Sequence, residues 1–208
     1  MSQHLGWSFD SPAPRSSGDD SPEQGLAAAL VTAGRWDAAL PVLTSALAAR
    51  PDDPGLLALL VRTLRGLGRT EQAIAAARAL LTATPDDSYA LRLSTLVLLD
   101  VGWVDEAIGL AMRAVAREPN VAANHLALSR AWAQSSRPEA VSRQLAAARE
   151  ADLLDPVSPD AQVQIGTALA ADAEPAAARA AYHEALRLDP GNSAALNNLA
   201  VLLSLIHI

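Results

Sequence analysis

The chain has no cysteine and no lysine. Without cysteine there is no disulfide, no zinc–thiolate site and no thiol nucleophile, a composition suited to a reducing compartment. All 16 basic residues are arginine. Arginine codons are GC-rich and lysine codons are not, so a GC-rich genome is expected; the chain is read as bacterial and cytoplasmic, with membrane anchoring by a part beyond it left open. Aromatic residues make up only 3% of the chain, although half of it is hydrophobic. Small side chains, mainly alanine, must therefore fill the core. Ala and Leu favour helix, and β-branched and aromatic strand formers are scarce, so an all-α protein is expected.

Other absences bear on function. The net charge of −7 argues against a general nucleic-acid-binding face, which needs positive potential. No 18-residue run is both uncharged and long enough to span a bilayer; the most apolar run, 93–110, is broken by Asp100, Asp105 and Glu106. Phosphate-binding, dinucleotide-binding, zinc-protease and nucleophile-elbow motifs are all missing. His4, His125, His183 and His207 show no metal-ligand spacing with one another or with an acid. His125 is expected beside a packing surface and His183 on an outer face. No catalytic residue, metal ligand or cofactor site is expected, and the chain is read as a non-enzyme.

The 208 residues carry a repeat. Pro51, Pro85 and Pro119 are 34 apart; Pro156 follows after 37 and Pro190 after another 34. Gly34, Gly68 and Gly102 lie 17 before a proline, Ala39, Ala73, Ala107 and Ala178 lie 12 before, and Leu30, Leu64, Leu98 and Leu169 lie 21 before. Several marks in one register define a repeating unit. One apolar helix runs to the glycine, whose tolerance of positive φ makes the turn. A second runs on to the proline, which cannot continue it. The alanine lets the two helices approach closely. Ser21 with Gln24 reads as a capping box, and Pro22, Pro138, Pro159 and Pro175 suit first helical positions. Pro41 fits if its helix begins near Asp37. The fourth unit departs: its turn, SSRPEA, lacks glycine, and its second helix is expected to gain about a turn.

This pattern resembles the tetratricopeptide repeat (TPR) family. The best match is the fifth unit, with Ile165-Gly166, Leu169, Ala178, Tyr182, Ala185 and Leu188-Asp189-Pro190. The resemblance implies a right-handed α-solenoid of antiparallel helix pairs over residues 20–202. The units run 20–53, 54–87, 88–121, 122–158 and 159–192, with 193–202 opening a sixth. It implies a concave groove lined by the first helices. Inward positions then include Arg62, Arg65, Tyr89, Arg92, Leu96, Leu99, Ala123, Leu126, Arg130, Asp160, Val163 and Thr167. Of these, Arg62, Arg65, Tyr89, Arg92, Leu96, Leu126 and Arg130 form the candidate binding set, suited to a protein or peptide carrying carboxylates. The bland reading of the same residues is a solvated face whose charge Asp100 partly offsets. A chaperone-tail receptor is not expected, because Leu93 and Ala127 stand where Arg62 would need polar neighbours.

The function implied is a non-catalytic scaffold or adaptor that binds protein segments. The alternative is the N-terminal repeat region of a larger protein whose enzymatic, regulatory or membrane-anchoring part lies beyond residue 202. Self-association through an uncapped end is a third possibility. Residues 1–19, rich in Ser, Pro, Gly and Asp, are expected to be a disordered tail, with Trp7 and Phe9 its only large anchors. At the other end, LSLIHI (203–208) holds two of the five isoleucines. It resembles the translation of CTG TCT CTT ATA CAC ATC, a transposon end used in sequencing libraries. These six residues are therefore expected to be adapter-derived and non-native.

Overall fold

The protein was analysed as a computed structural model, which describes residues 21–206. The expected tail at 1–19, with His4, Trp7 and Phe9, lies outside the described residues, as do His207 and the side chains from 205 onwards. The described residues form eleven helices and no strand. In chain order they are α1 (Pro22–Thr32), α2 (Trp36–Ala49), α3 (Pro54–Gly66), α4 (Thr70–Ala83), α5 (Ser88–Asp100), α6 (Val104–Arg117), α7 (Ala122–Ala133), α8 (Ala140–Leu154), α9 (Pro159–Ala171), α10 (Pro175–Leu188) and α11 (Ser193–Ile206). The chain divides into two compact bodies, one holding α1–α6 and the other α7–α11.

Helix starts follow from capping chemistry. The Asp53 side chain accepts from the Leu56 N–H at 3.0 Å, Asp87 from Ala90 at 2.7 Å and Asn192 from Ala195 at 2.9 Å. Each satisfies an N–H that has no partner within its helix. Pro22, Pro54, Pro159 and Pro175 stand in the opening turn, where proline's missing donor costs nothing. Pro138 does not; it lies in the turn before α8. The helix carrying Pro41 begins within one residue of the expected start near Asp37, yet the proline still falls past the first turn. It lies inside α2, which starts at Trp36, so the Asp37 carbonyl loses its donor. Both residues are exposed, so water can take over that bond.

The turns within pairs share one geometry. Gly34, Gly68 and Gly102 have φ of +67°, +67° and +78°. The next residue's N–H reaches back to a leucine carbonyl in each case: Arg35 to Leu30, Arg69 to Leu64 and Trp103 to Leu98, all at 2.9 Å. The glycine N–H itself bonds Val31, Arg65 and Leu99 at 3.0–3.1 Å. This double closure is the Schellman motif, and it requires a left-handed residue after the helix. The leucines marking the sequence register are thus the carbonyl acceptors of the turn.

The fifth unit makes the same turn without glycine. Ala173 stands at φ +58°, and Glu174 donates to Leu169 at 2.9 Å. An alanine Cβ in this region meets the following carbonyl, so the position is strained.

The fourth unit differs from expectation. α8 has 15 residues against 14 in α2, α4, α6 and α10, so it gains one residue and not a turn. The extra length goes into the α7–α8 connection, residues 134–139, where the other pairs use three residues. With no residue there at positive φ, the three-residue closure cannot form, and a longer loop replaces it. Trp132 takes the place of the register leucine and is 6% exposed. The Arg137 guanidinium lies over its ring, 5.8 Å from the centre, close enough for a cation–π contact.

Packing explains the alanines. Ala39, Ala73, Ala107 and Ala178 are at most 1% exposed. In the first body, Leu57, Val61 and Leu64 of α3 pack with Ala73, Ala77 and Leu80 of α4 and with Leu93 and Val97 of α5. Each fully buried leucine or valine contributes roughly 1.5–3 kcal/mol. In the second body, a Cβ added at Gly166 would lie 2.5 Å from the Tyr182 ring, so only glycine allows α9 and α10 this approach. The fourth unit places Gln144 where the others have alanine. It is 3% exposed, and its backbone carbonyl accepts from the Ser129 hydroxyl at 3.1 Å.

Ala173→Gly removes the strain at one turn. It is expected to stabilise the protein by about 0.5–1 kcal/mol, the left-handed penalty less glycine's extra entropy. Thermal or denaturant unfolding checks this; unchanged or lower stability would contradict it.

Candidate protein-binding groove

Five of the seven expected lining residues lie in the first body and two in the second. Each set is described by itself.

In the first body, Arg62 and Arg65 sit one turn apart on α3, and Tyr89, Arg92 and Leu96 follow along α5. The spacing of three to four residues keeps each set on one helical face. Arg65 is committed. Its Nε donates to Asp100 Oδ2 at 2.6 Å and its Nη2 to Asp100 Oδ1 at 3.1 Å. This two-pronged pair ties the end of α3 to the end of α5. The Arg92 guanidinium lies over the Tyr89 ring, 5.1 Å from its centre, and Arg92 is only 8% exposed. Leu96 is also 8% exposed and Leu99 7%. These leucines are core residues more than surface contacts. Arg62 is half-buried and has no ion pair among the described residues.

The beginning of the same face carries a polar network that the sequence did not reveal. Arg50 donates from Nη2 to the Ser21 hydroxyl at 2.7 Å and from Nη1 to Asp53 at 2.9 Å. One arginine thus links the caps of α1 and α3, reaching across 29 residues of chain from Arg50 to Ser21. Gln24 is 9% exposed, with its amide directed at Gly55.

In the second body, Leu126 of α7 is buried with Ala151 and Ala161. Arg130 donates to Asp160 at 3.0 Å, joining α7 to α9. Their side chains are only 11% and 15% exposed, against 24% and 46% for Arg65 and Asp100. Asp160 was expected on the inward face; its pairing with Arg130 brings two of those positions together. Farther along, the Thr167 hydroxyl donates to the Val163 carbonyl at 2.8 Å and accepts from Asn198 at 3.3 Å and Tyr182 at 3.5 Å. Burial pushes the Tyr182 phenol above its usual range, opposed by these hydrogen bonds.

His125 is buried, with its Nε2 2.7 Å from the Pro119 carbonyl, and His183 is exposed. Among the described residues no group of three or more His, Cys, Asp or Glu could hold a metal ion, and no helix is long and apolar enough to cross a membrane.

Two family models, each described as tetratricopeptide repeat, match residues 30–96 and 163–203. No curated protein matches the chain in sequence. Among solved structures, TTC0263, a thermophilic TPR protein of Thermus thermophilus, matches with a TM-score of 0.76 at 22% identity, over 89% of this chain and 99% of that one. The Cut9–Hcn1 hetero-tetramer of the APC/C matches with a TM-score of 0.75 at 18% identity, over 87% of this chain and 36% of that one. YrrB, a TPR protein with an unusual peptide-binding site, matches with a TM-score of 0.61 at 17% identity, over 86% and 91%. These likenesses carry the fold: an all-α solenoid of helix pairs.

The two ion pairs differ in burial, so they should differ in consequence. Asp160→Ala leaves the Arg130 charge largely desolvated and is expected to lower stability by about 1–3 kcal/mol, between the exposed and buried limits. Asp100→Ala is expected to cost less than about 1 kcal/mol. Denaturant unfolding of both variants checks the order, and equal losses would contradict it.

Proposed function

The chain belongs to the tetratricopeptide repeat family, and from that premise we propose that it is a non-catalytic scaffold whose first-helix surface receives a protein segment carrying carboxylates. A general role in protein–protein interaction goes with the fold. The finer reading rests on one observation: Arg62 on α3 has no ion pair among the described residues, while Arg65 beside it is held by Asp100. A guanidinium without a carboxylate partner favours a ligand that supplies one. Tyr89 of α5, also half-buried and with the Arg92 guanidinium over its ring, is an aromatic of the same first-helix set for an apolar side chain of that segment.

Supporting cases exist among the structural neighbours. YrrB carries a peptide-binding site, and Cut9 assembles with Hcn1. A reducing, cytoplasmic setting suits a chain with no cysteine.

The test is peptide selection with a displayed library of natural protein segments. Enrichment of segments containing Asp or Glu is expected with the unaltered chain. Arg62→Glu should abolish their capture, whereas Arg78→Glu, on the exposed side of α4, should not. An identical set of peptides captured by all three proteins would sink the groove.

A further inference from the structure

The corner where α8 meets α9 departs from the other corners in two ways. The first is apolar exposure. Counted from the register prolines, Leu153 stands where Ala48, Thr82, Ala116 and Arg187 stand in the other units. Val157 stands where Asp52, Asp86, Asn120 and Gly191 stand. Those residues are small or polar, yet Leu153 and Val157 are each 72% exposed, and Leu154 between them is 38% exposed. A lone exposed leucine needs no explanation, but three large apolar side chains within five residues form a patch. The patch is not an end of the array: α8 is packed on α7 and α9, and α9 is packed on α10.

The second difference is charge. At the α2–α3 corner Asp53 is held by Arg50, and at the α4–α5 corner Asp86 is held by Arg113 and Arg117. At this corner Glu150, Asp152 and Asp155 have no ion pair among the described residues. Asp152 accepts instead from the Gln162 amide at 2.8 Å. Residues 149–157 carry these three acids against one arginine, Arg149.

We propose that this corner is a second docking surface, separate from the first-helix face, for a protein segment with an apolar side chain flanked by Arg or Lys. The apolar side chain covers Leu153, Leu154 and Val157. Its basic neighbours supply Glu150, Asp152 and Asp155 with the cations that the chain supplies to its other corners. Charge selects this occupant over two others. A second copy of a chain of net charge −7 brings like charge to an acidic corner, and so does an anionic lipid surface.

Selection from a displayed library of natural protein segments, with the full chain as bait at low salt, tests this. Segments with Arg or Lys beside a large apolar residue are expected to be enriched, and their affinity should fall as salt rises. The double variant Leu153→Thr, Val157→Asn gives this corner the residues that Thr82 and Asn120 provide elsewhere, at exposed positions where folding is unaffected. It should bind the enriched segments at least ~10-fold more weakly, and Glu150→Arg should weaken them as well. Leu26→Thr, which alters another exposed leucine (53% exposed), should leave them bound. Arg62→Glu should also leave them bound, which separates this corner from the groove. No enrichment of basic segments, or enriched segments indifferent to the double variant, would overturn the proposal. So would a dimer of the chain that the double variant abolishes, because the patch would then belong to a second copy.

Discussion

The residue held at positive φ between the helices of a pair is the constraint on which the remaining structure depends. It turns the chain within three residues and lets the next N–H reach the leucine carbonyl one turn back. That bond fixes where the second helix starts. The alanine one turn into it then meets the first helix at zero or near-zero exposure. A core built from alanine and leucine tolerates little error in this distance, because alanine has no length with which to fill a gap. Where the left-handed residue is missing, in the fourth unit, both features change together. The turn lengthens to six residues, and a buried glutamine with its own hydrogen bonds replaces the alanine.

Electrostatics act at a second level, between pairs. Arg65–Asp100 joins α3 to α5, and Arg130–Asp160 joins α7 to α9. In both cases the surface expected to meet a ligand spends an arginine on its own neighbour. Arg92 is spent differently, lying on the Tyr89 ring at low exposure. These faces are thus less cationic than a count of their arginines implies, and Arg62 keeps no ion pair among the described residues.

Much of the architecture was legible because repeated marks constrain one another. Gly34, Gly68 and Gly102 shared a register with the prolines and leucines, and all three adopt the left-handed turn. Ala173 occupies the same position with the wrong side chain, and only its φ revealed the turn. Periodicity also misjudged the fourth unit. Extra residues in a repeat can lengthen either the helix or the turn, and spacing alone does not distinguish them. Pro41 shows a similar limit, since helix packing on both sides overrides its cost. The candidate site was less legible. Register proposed the face, but whether Arg65 and Arg130 are available depends on Asp100 and Asp160, 35 and 30 residues away. Leu96 and Leu126 read as groove residues and lie mostly in the core.

Amide hydrogen exchange tests the central claim most directly. The amides of Arg35, Arg69, Trp103 and Glu174 belong to short surface turns, yet each is bonded to a leucine carbonyl of the preceding helix. The account predicts that these four exchange slowly, like helix interiors, while the 134–139 turn, which lacks that closure, exchanges fast. Exchange at the four amides as rapid as in 134–139 would contradict it.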